Sequence, residues 1–218
     1  MIWRKEIPPE QQAYLRLRKK GFSPASIIDV GAYHGDWTKL VRRVFDAPVL
    51  MVEAQRSKHE KLREMCGRSI SLAPDVLGAT SGKTVTFYEM ETGSSLFEEQ
   101  SNVPRQQTKY VTETLDNVAA GMPGPIFLKI DVQGAELEVL RGGEQTLSRS
   151  EIVQLEIAML SYNKDAPSFL EVISYMDRSG FVPYDISGFS RPDRINLVQI
   201  DLLFCRKNSA LRPSYFTF

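Results

Sequence analysis

The sequence predicts an α/β protein built on a doubly wound, mostly parallel sheet that carries one antiparallel strand. Three observations predict it. Short apolar runs alternate with helix-spaced apolar patterns along most of the chain. One of those runs, Ile126–Ile130, has the length and branching of a strand buried on both faces. The chain closes on two strand-like segments, Phe181–Ile186 and Leu197–Cys205, joined by a Gly/Ser/Pro/Asp loop that reads as a hairpin ending the sheet.

The elements follow in order. Pro8-Pro9 can start a helix over Pro9–Lys20 and Gly21 can stop it. Ala13, Leu15 and Leu17 give it no clean stripe, so it reads as a surface cover. Ser26–Val30 (SIIDV) is a strand, followed by the loop Gly31-Ala32-Tyr33-His34-Gly35. Trp37, Leu40, Val41, Val44 and Phe45 then form a helical stripe. Val49–Val52 is a strand ending in Glu53, and Ser57–Cys66 is a polar helix with Ser57 as its N-cap. Ser69–Leu77 holds a third strand and Thr84–Tyr88 alternates as a further one. Glu91–Lys109 is long, polar and patternless, as lids and binding loops are. Glu151–Ile157 is a strand with Glu156 near its end, and the stripe from Phe169 to Met176 is a helix closed by Gly180.

A chain of 218 residues, 42% apolar and 25% charged, is long enough for one globular domain with a substantial core. Zero formal net charge argues against a broadly basic nucleic-acid face. Cys66 and Cys205 show neither metal spacing nor a disulfide framework. The charged start MIWRKEIPPE lacks the apolar core of a signal peptide, and no apolar run reaches the ~20 residues of a spanning helix. The expected setting is a reducing, cytoplasmic one.

The stretch Phe127–Gly143 (FLKIDVQGAELEVLRGG) concentrates the chemistry. Asp131 arrives where the strand stops, at the mouth of a strand–turn–helix unit, and in open α/β sheets ligands bind at that edge. Lys129 points to the same side of the strand as Asp131. A lysine inside an apolar strand needs a partner or a purpose. It either forms a structural ion pair, orients Asp131, or acts as a base with a pKa depressed by burial.

The loop after the first strand is the cofactor candidate. Gly31 and Gly35 permit tight turning before a helix N-terminus. A dinucleotide fingerprint needs glycine where Tyr33 stands, and Asp29 would repel a pyrophosphate. An anionic Asp29 favours a cationic ligand, and S-adenosylmethionine carries an ammonium and a sulfonium. Glu53 ends the next strand, where a carboxylate accepts hydrogen bonds from ribose hydroxyls. Gly78–Thr84 (GATSGKT) resembles a phosphate-binding loop but is one residue short and opens a strand, so it reads as a hairpin turn with Lys83 exposed.

Two stretches carry a family likeness. IIDVGAYHGDWT and FLKIDVQGAELEVLRG together resemble the FkbM-type family of S-adenosylmethionine-dependent methyltransferases. The likeness extends through VTETLDNV, GFVPYDI and QIDLLFCR, from about Ser26 to Arg206. It implies the seven-stranded class I methyltransferase fold, and methyl transfer to a hydroxyl of a sugar or secondary metabolite. It implies a catalytic domain over 26–206, which leaves the helical cover read above over 1–25 and a tail over 207–218. It implies cofactor contacts at Asp29, Gly31, Ala32, Tyr33 and Gly35, with Glu53 on the ribose and Asp75 and Val76 near the adenine. Asp131 then lies between cofactor and acceptor. Many members have Asn at Tyr33 and Glu at Gln133, so this chain has one carboxylate fewer near the site.

An alcohol must lose its proton as it attacks, and a carboxylate or neutral amine within reach can take it. His59 reads as solvated, and His34 as facing water. That leaves Asp131, Lys129 and Glu156; the strands that end in Asp131 and Glu156 are neighbours in this fold. Glu136 and Glu138 read as surface charges, although Glu136 could reach back to the turn. Two carboxylates alone are weak grounds for a metal site, and none is expected. Acceptor choice is expected in Gly93–Lys109 and Ser187–Asn196, where Ser94, Ser95, Gln106, Gln107 and Arg191 offer donors. The expected acceptor is a small molecule or glycan, with no nucleic acid and no membrane span. A non-catalytic cofactor-binding module of the same fold is the alternative, and a nicotinamide enzyme is disfavoured by Asp29 and Tyr33.

Overall fold

The computed structural model describes residues 8–90, 93–98, 100, 103–160 and 163–212. Parts of the expected N-terminal cover, the loop Glu91–Lys109 and the C-terminal tail lie outside them.

The first half of the chain alternates as α1 (Pro9–Lys19), β1 (Ser26–Val30), α2 (Asp36–Val41), β2 (Val49–Val52), α3 (His59–Arg63) and β3 (Ile70–Ala73). Three short strands follow, β4 (Val76–Leu77), β5 (Thr84–Glu89) and β6 (Gln106–Glu113), then α4 (Leu115–Val118). The second half is β7 (Ile126–Ile130), α5 (Glu136–Arg141), α6 (Glu144–Arg149), β8 (Ser150–Ala158), α7 (Phe169–Arg178), β9 (Phe181–Ser190) and β10 (Gln199–Arg206).

Seven strands form the main sheet in the order β3-β2-β1-β7-β8-β10-β9. All pairings are parallel except those of β10, which runs antiparallel to both β8 and β9. The expected architecture is therefore present, including its single antiparallel strand. The order reverses direction between β1 and β7, and such a switch opens a crevice beyond the strand ends.

The central strands are apolar because both faces are covered. Every residue of β1, β2 and β7 is buried. One face packs the cluster around Ile28, Leu128, Leu140 and Leu155. The other packs Ile27, Met51, Phe127 and Leu203 under the N-terminal helices. Each such side chain stabilises the fold by roughly 1.5–3 kcal/mol.

Four details depart from the sequence reading. Helix α1 is not a surface cover, since Ala13, Tyr14 and Leu17 are fully buried. Tyr14, Phe22, Trp37 and Phe45 ring Phe127 edge-on at 5.3–6.0 Å. The segment Ser69–Leu77 divides between the main sheet and a second, three-stranded sheet, β4-β6-β5, which also takes the strand expected at Thr84–Tyr88. Gln106 and Gln107 belong to β6 rather than to a loop. Ser57 is not a cap but lies within a 3-10 turn before α3. The segment from Gly78 to Lys83 is a turn wrapped on Thr112 that opens β5, with Lys83 exposed and no helix to receive a phosphate.

Candidate active site

One cavity of about 450 Å³ runs along the carboxyl ends of the parallel strands. Its walls come from the ends of β2 (Glu53), β1 (Gly31), β7 (Asp131) and β8 (Glu156). Because β10 is antiparallel, its first residue, Gln199, reaches the same edge, opposite Ser190 at the end of β9.

At one end the cavity is shaped largely by backbone. Gly31 has φ +77, and a Cβ there would lie 1.8 Å from the Asp131 carbonyl oxygen, so the two loops touch only because this residue is glycine. Glu53 accepts from Tyr33 N at 2.6 Å and from Gln55 N at 2.8 Å, one on each carboxylate oxygen. Burial raises its pKa despite those donors. Tyr33, in the left-handed region at φ 49, stacks on His34 at 3.9 Å and lines the cavity. Asp75, Val76 and Leu77 extend the wall towards Phe87 of β5. Burial, then the charge of Glu113, raises the Asp75 carboxyl.

Three residues expected here as contacts lie behind the wall. Ala32 belongs to the core, and a Cβ at Gly35 would meet the Met65 sulfur at 2.5 Å. Asp29 is wholly buried. Thr38 of α2 donates to its Oδ2 at 2.7 Å and Lys129 lies 3.2 Å from its Oδ1, which has no well-directed hydrogen bond. Asp29 thus meets the lysine, not a ligand's cation. The reason is register: Asp29 and Lys129 are paired across β1 and β7.

Lys129 also donates to the Gly31 carbonyl at 3.1 Å and lies 3.4 Å from Asp131 Oδ2. Burial alone would depress its ammonium, but Asp29 and Asp131 outweigh burial and hold it above the usual lysine range. It is a charged strut, not a base. It ties the glycine loop to the strand end that carries Asp131.

The other end is built from side chains. Ile130 pairs with Leu155, so Asp131 and Glu156 stand level on adjacent parallel strands. Gln133 Nε2 donates to Asp131 Oδ1 at 3.0 Å and to Glu156 Oε1 at 2.5 Å. The Gln199 amide meets Glu156 Oε2 at 2.5 Å. Asp201 of β10 faces Glu156 across the sheet. Burial, then the charges of Asp131 and Asp201, push Glu156 up to about 10. These neighbours favour the protonated form of Glu156, which the sequence reading counts among the candidate bases. Asp131, partly exposed at the cavity, lies between Lys129 and Gln133.

Two surface assignments are overturned. Glu136 is buried and accepts from Val132 N at 3.2 Å and Gly134 N at 3.0 Å, closing the turn that follows Asp131. Its carboxyl is pushed up to about 7 by burial. His59 is buried and donates to the Glu53 carbonyl at 2.8 Å, bracing the strand end that carries the carboxylate. Of the expected acceptor donors, Ser94 lines the cavity, whereas Ser95 is buried and donates to the Gln133 carbonyl at 2.8 Å. Arg191 is exposed and donates to the Ile195 carbonyl. Gln106 and Gln107 lie on exposed β6 positions. Gln199 and Asp201 were missed, while Ser190 falls in the expected segment Ser187–Asn196. Only Asp201 left a signal, a carboxylate inside the apolar run QIDLLFC.

Among the described residues no helix is long and apolar enough to cross a membrane. None of their His, Cys, Asp or Glu side chains form a group of three or more that could hold a metal ion. Cys66 and Cys205 are both free thiols.

A seven-stranded sheet with one antiparallel strand and a crevice at its topological switch defines the class I methyltransferase fold. A family model for the methyltransferase FkbM domain matches residues 29–183, and the chain belongs to that family, whose methyl donor is S-adenosylmethionine. Among solved structures it is similar to magnesium protoporphyrin IX methyltransferase from Synechocystis PCC 6803. The form with bound SAH superposes at a TM-score of 0.51 and 10% identity, over 91% of this chain and 84% of that one. The form with bound SAM superposes at 0.50 and 13%, over 91% and 80%. No curated protein matches in sequence.

The residues present fit the cofactor. The cavity has room for a nucleoside-sized ligand and an acceptor group. A carboxylate offers about four acceptor sites, so Glu53 can bind ribose hydroxyls while keeping its two backbone donors.

Proposed function

We propose that the protein is an O-methyltransferase acting on a hydroxyl of an uncharged carbohydrate or secondary metabolite. The observation that carries this reading is the position of Asp131, a held carboxylate in the cavity between the glycine loop and the amide-rich end. No Lys, Arg or His of the described residues lines the cavity, which disfavours phosphate- or carboxylate-bearing acceptors, nucleic-acid backbones included. In the absence of a histidine, Asp131 is the group that can take a hydroxyl proton.

Gly31, Tyr33, Glu53, Asp75 and Val76 would hold the cofactor, which supplies an electrophilic methyl group when bound. This chain's own residues do the rest. Glu53 and the Gly31 turn place the nucleoside half. Lys129 holds Asp131 in place from 3.4 Å, and Asp131 accepts the proton as the hydroxyl attacks. Much of the rate then comes from orientation, since in-line displacement at a methyl needs little else. Gln199 and Ser190 supply hydrogen bonds for a polar, neutral acceptor. The setting proposed is cytoplasmic, with a catalytic domain over 26–206.

The test is incubation with labelled S-adenosylmethionine and a panel of neutral glycans and polyketides, with RNA and acidic sugars alongside. Label in an ether of a neutral compound supports the reading. Label confined to RNA or to a nitrogen overturns it.

A further inference from the structure

Asp131 and Glu156 are level neighbours on parallel strands, and two carboxylates placed so resist being charged together. The structure shows what sits between them. Gln133 stands at φ 55, a left-handed conformation that a non-glycine residue rarely adopts. Its carbonyl is held by two donors from distant segments, Ser95 Oγ at 2.8 Å and Asn163 Nδ2 at 2.5 Å. Gly134 follows at φ 98, where a Cβ would lie 2.9 Å from the Ala166 Cβ, so the turn has no slack. The fold thus fixes an awkward backbone, and the result is a side-chain amide whose nitrogen reaches both carboxylates.

We infer that Gln133 is a positioning residue that joins Asp131 and Glu156 into one hydrogen-bonded set and aims Asp131 at the acceptor. The consequence for catalysis rests on the methyl-transfer reading above; the geometry does not. Bridging by a neutral donor suits the site because a carboxylate at this position would add a negative charge beside Asp131 and its neighbours, where Lys129 lies 3.4 Å from Asp131 Oδ2. Glu156 is faced by Asp131 and Lys129 of β7, Asp201 and Gln199 of β10, Glu136 of α5 and Gln133 of the turn. Gln199 Nε2 donates to Glu156 Oε2 at 2.5 Å, so Glu156 is held by an amide on each oxygen. Asp131 is then left with Lys129 on one oxygen and Gln133 on the other.

The bridge is testable without an acceptor. Carboxyl groups of the ligand-free protein are titrated by carbon NMR in the wild type, Gln133→Met, Gln133→Asn and Gln133→Glu. Glu156→Gln and Asp131→Asn assign the signals. Removing the donor takes a hydrogen bond from the charged form of Glu156, so Gln133→Met should raise the Glu156 midpoint. Gln133→Glu should raise it further. Asn tolerates the left-handed backbone but is one methylene too short to span both groups, so Gln133→Asn should show the same upward shift in a well-folded protein. Superimposable Glu156 titrations in the wild type and Gln133→Asn overturn the inference, as does a shift in Gln133→Met that Gln133→Asn lacks. Calorimetric binding of SAH to the same samples reports the cofactor end separately. Its loss in the wild type would count against the proposed function and leave the bridge standing.

Discussion

The two ends of the cavity are built by different means. The nucleoside end is made of residues close in sequence, Gly31 to Tyr33 and Glu53 to Gln55, joined by backbone donors. The acceptor end gathers Asp131, Gln133, Glu156, Gln199 and Asp201 from three strands and a turn, joined by side chains. Backbone donors keep their place under most substitutions, whereas a side-chain set loses its function with any one member. The first end is thus set by local chain geometry, and the second by which strands lie side by side. Lys129 belongs to both, bonded to Gly31 on one side and Asp131 on the other.

Lys129→Met is expected to do most damage because it severs that link. It leaves Asp29 buried with Thr38 as its remaining hydrogen-bond donor, and breaking a buried pair costs roughly 3–5 kcal/mol. Urea unfolding measures it. Adding Asp29→Asn should recover part of the loss, since it removes the stranded charge. A double variant no more stable than the single one would show that the strut matters by packing instead.

Asp131→Asn should split the two ends. Turnover with an acceptor found by the panel is expected to fall on the order of a hundredfold or more. SAH affinity should change little. Asn keeps the size and one acceptor oxygen but takes no proton near neutral pH. Single-turnover transfer at near-native rate would remove Asp131 from the chemistry.

Glu53→Ala is the reverse experiment. Losing a charged acceptor should weaken SAH by about ten- to a hundredfold, measured by calorimetry. In a thermal scan, stabilisation by bound SAH should shrink accordingly. A variant that still binds SAH at wild-type strength would place the ribose elsewhere.

The smallest effect is expected at Asp201 and depends on pH. Burial, then the charges of Asp131 and Glu10, push its carboxyl up to about 7 from an ordinary 3.8. The folded protein therefore holds a proton that the unfolded chain releases. This contribution is full below about 3.8, declines as pH rises, and is gone above about 7. Glu136, pushed up to about 7 from 4.5, slopes the same way. Asp201→Asn should raise the melting temperature at pH 8 more than at pH 5, flattening the wild-type decline. An equal change at both pH values would mean that Asp201 is not strained by charge.

How much of this was legible in the residues follows from the range of each interaction. Asp131 and Glu53 could be placed because each ends an apolar run, and strand ends mark the ligand edge of such sheets. The glycine loop was legible for the same reason. Tyr14 was not recognised as core, because its hydroxyl is satisfied by Glu10, Gln154 and Trp37, of which only Glu10 is a close neighbour in sequence. His59 looked solvated among charges, but the carbonyl it needs ends the neighbouring strand.

The sequence by itself determined the class of fold, the strand that carries Asp131, the family and its cofactor, because periodicity and short motifs are local properties. Only the tertiary structure decided what each charged group does. The β1–β7 register sets Asp29 against Lys129 and makes the lysine a cation instead of a base. The neighbourhood of Asp131, Glu156 and Asp201 on adjacent strands decides which carboxylate keeps its proton. Charge states depend on distances across strands, and strand order is written in no single segment of the chain.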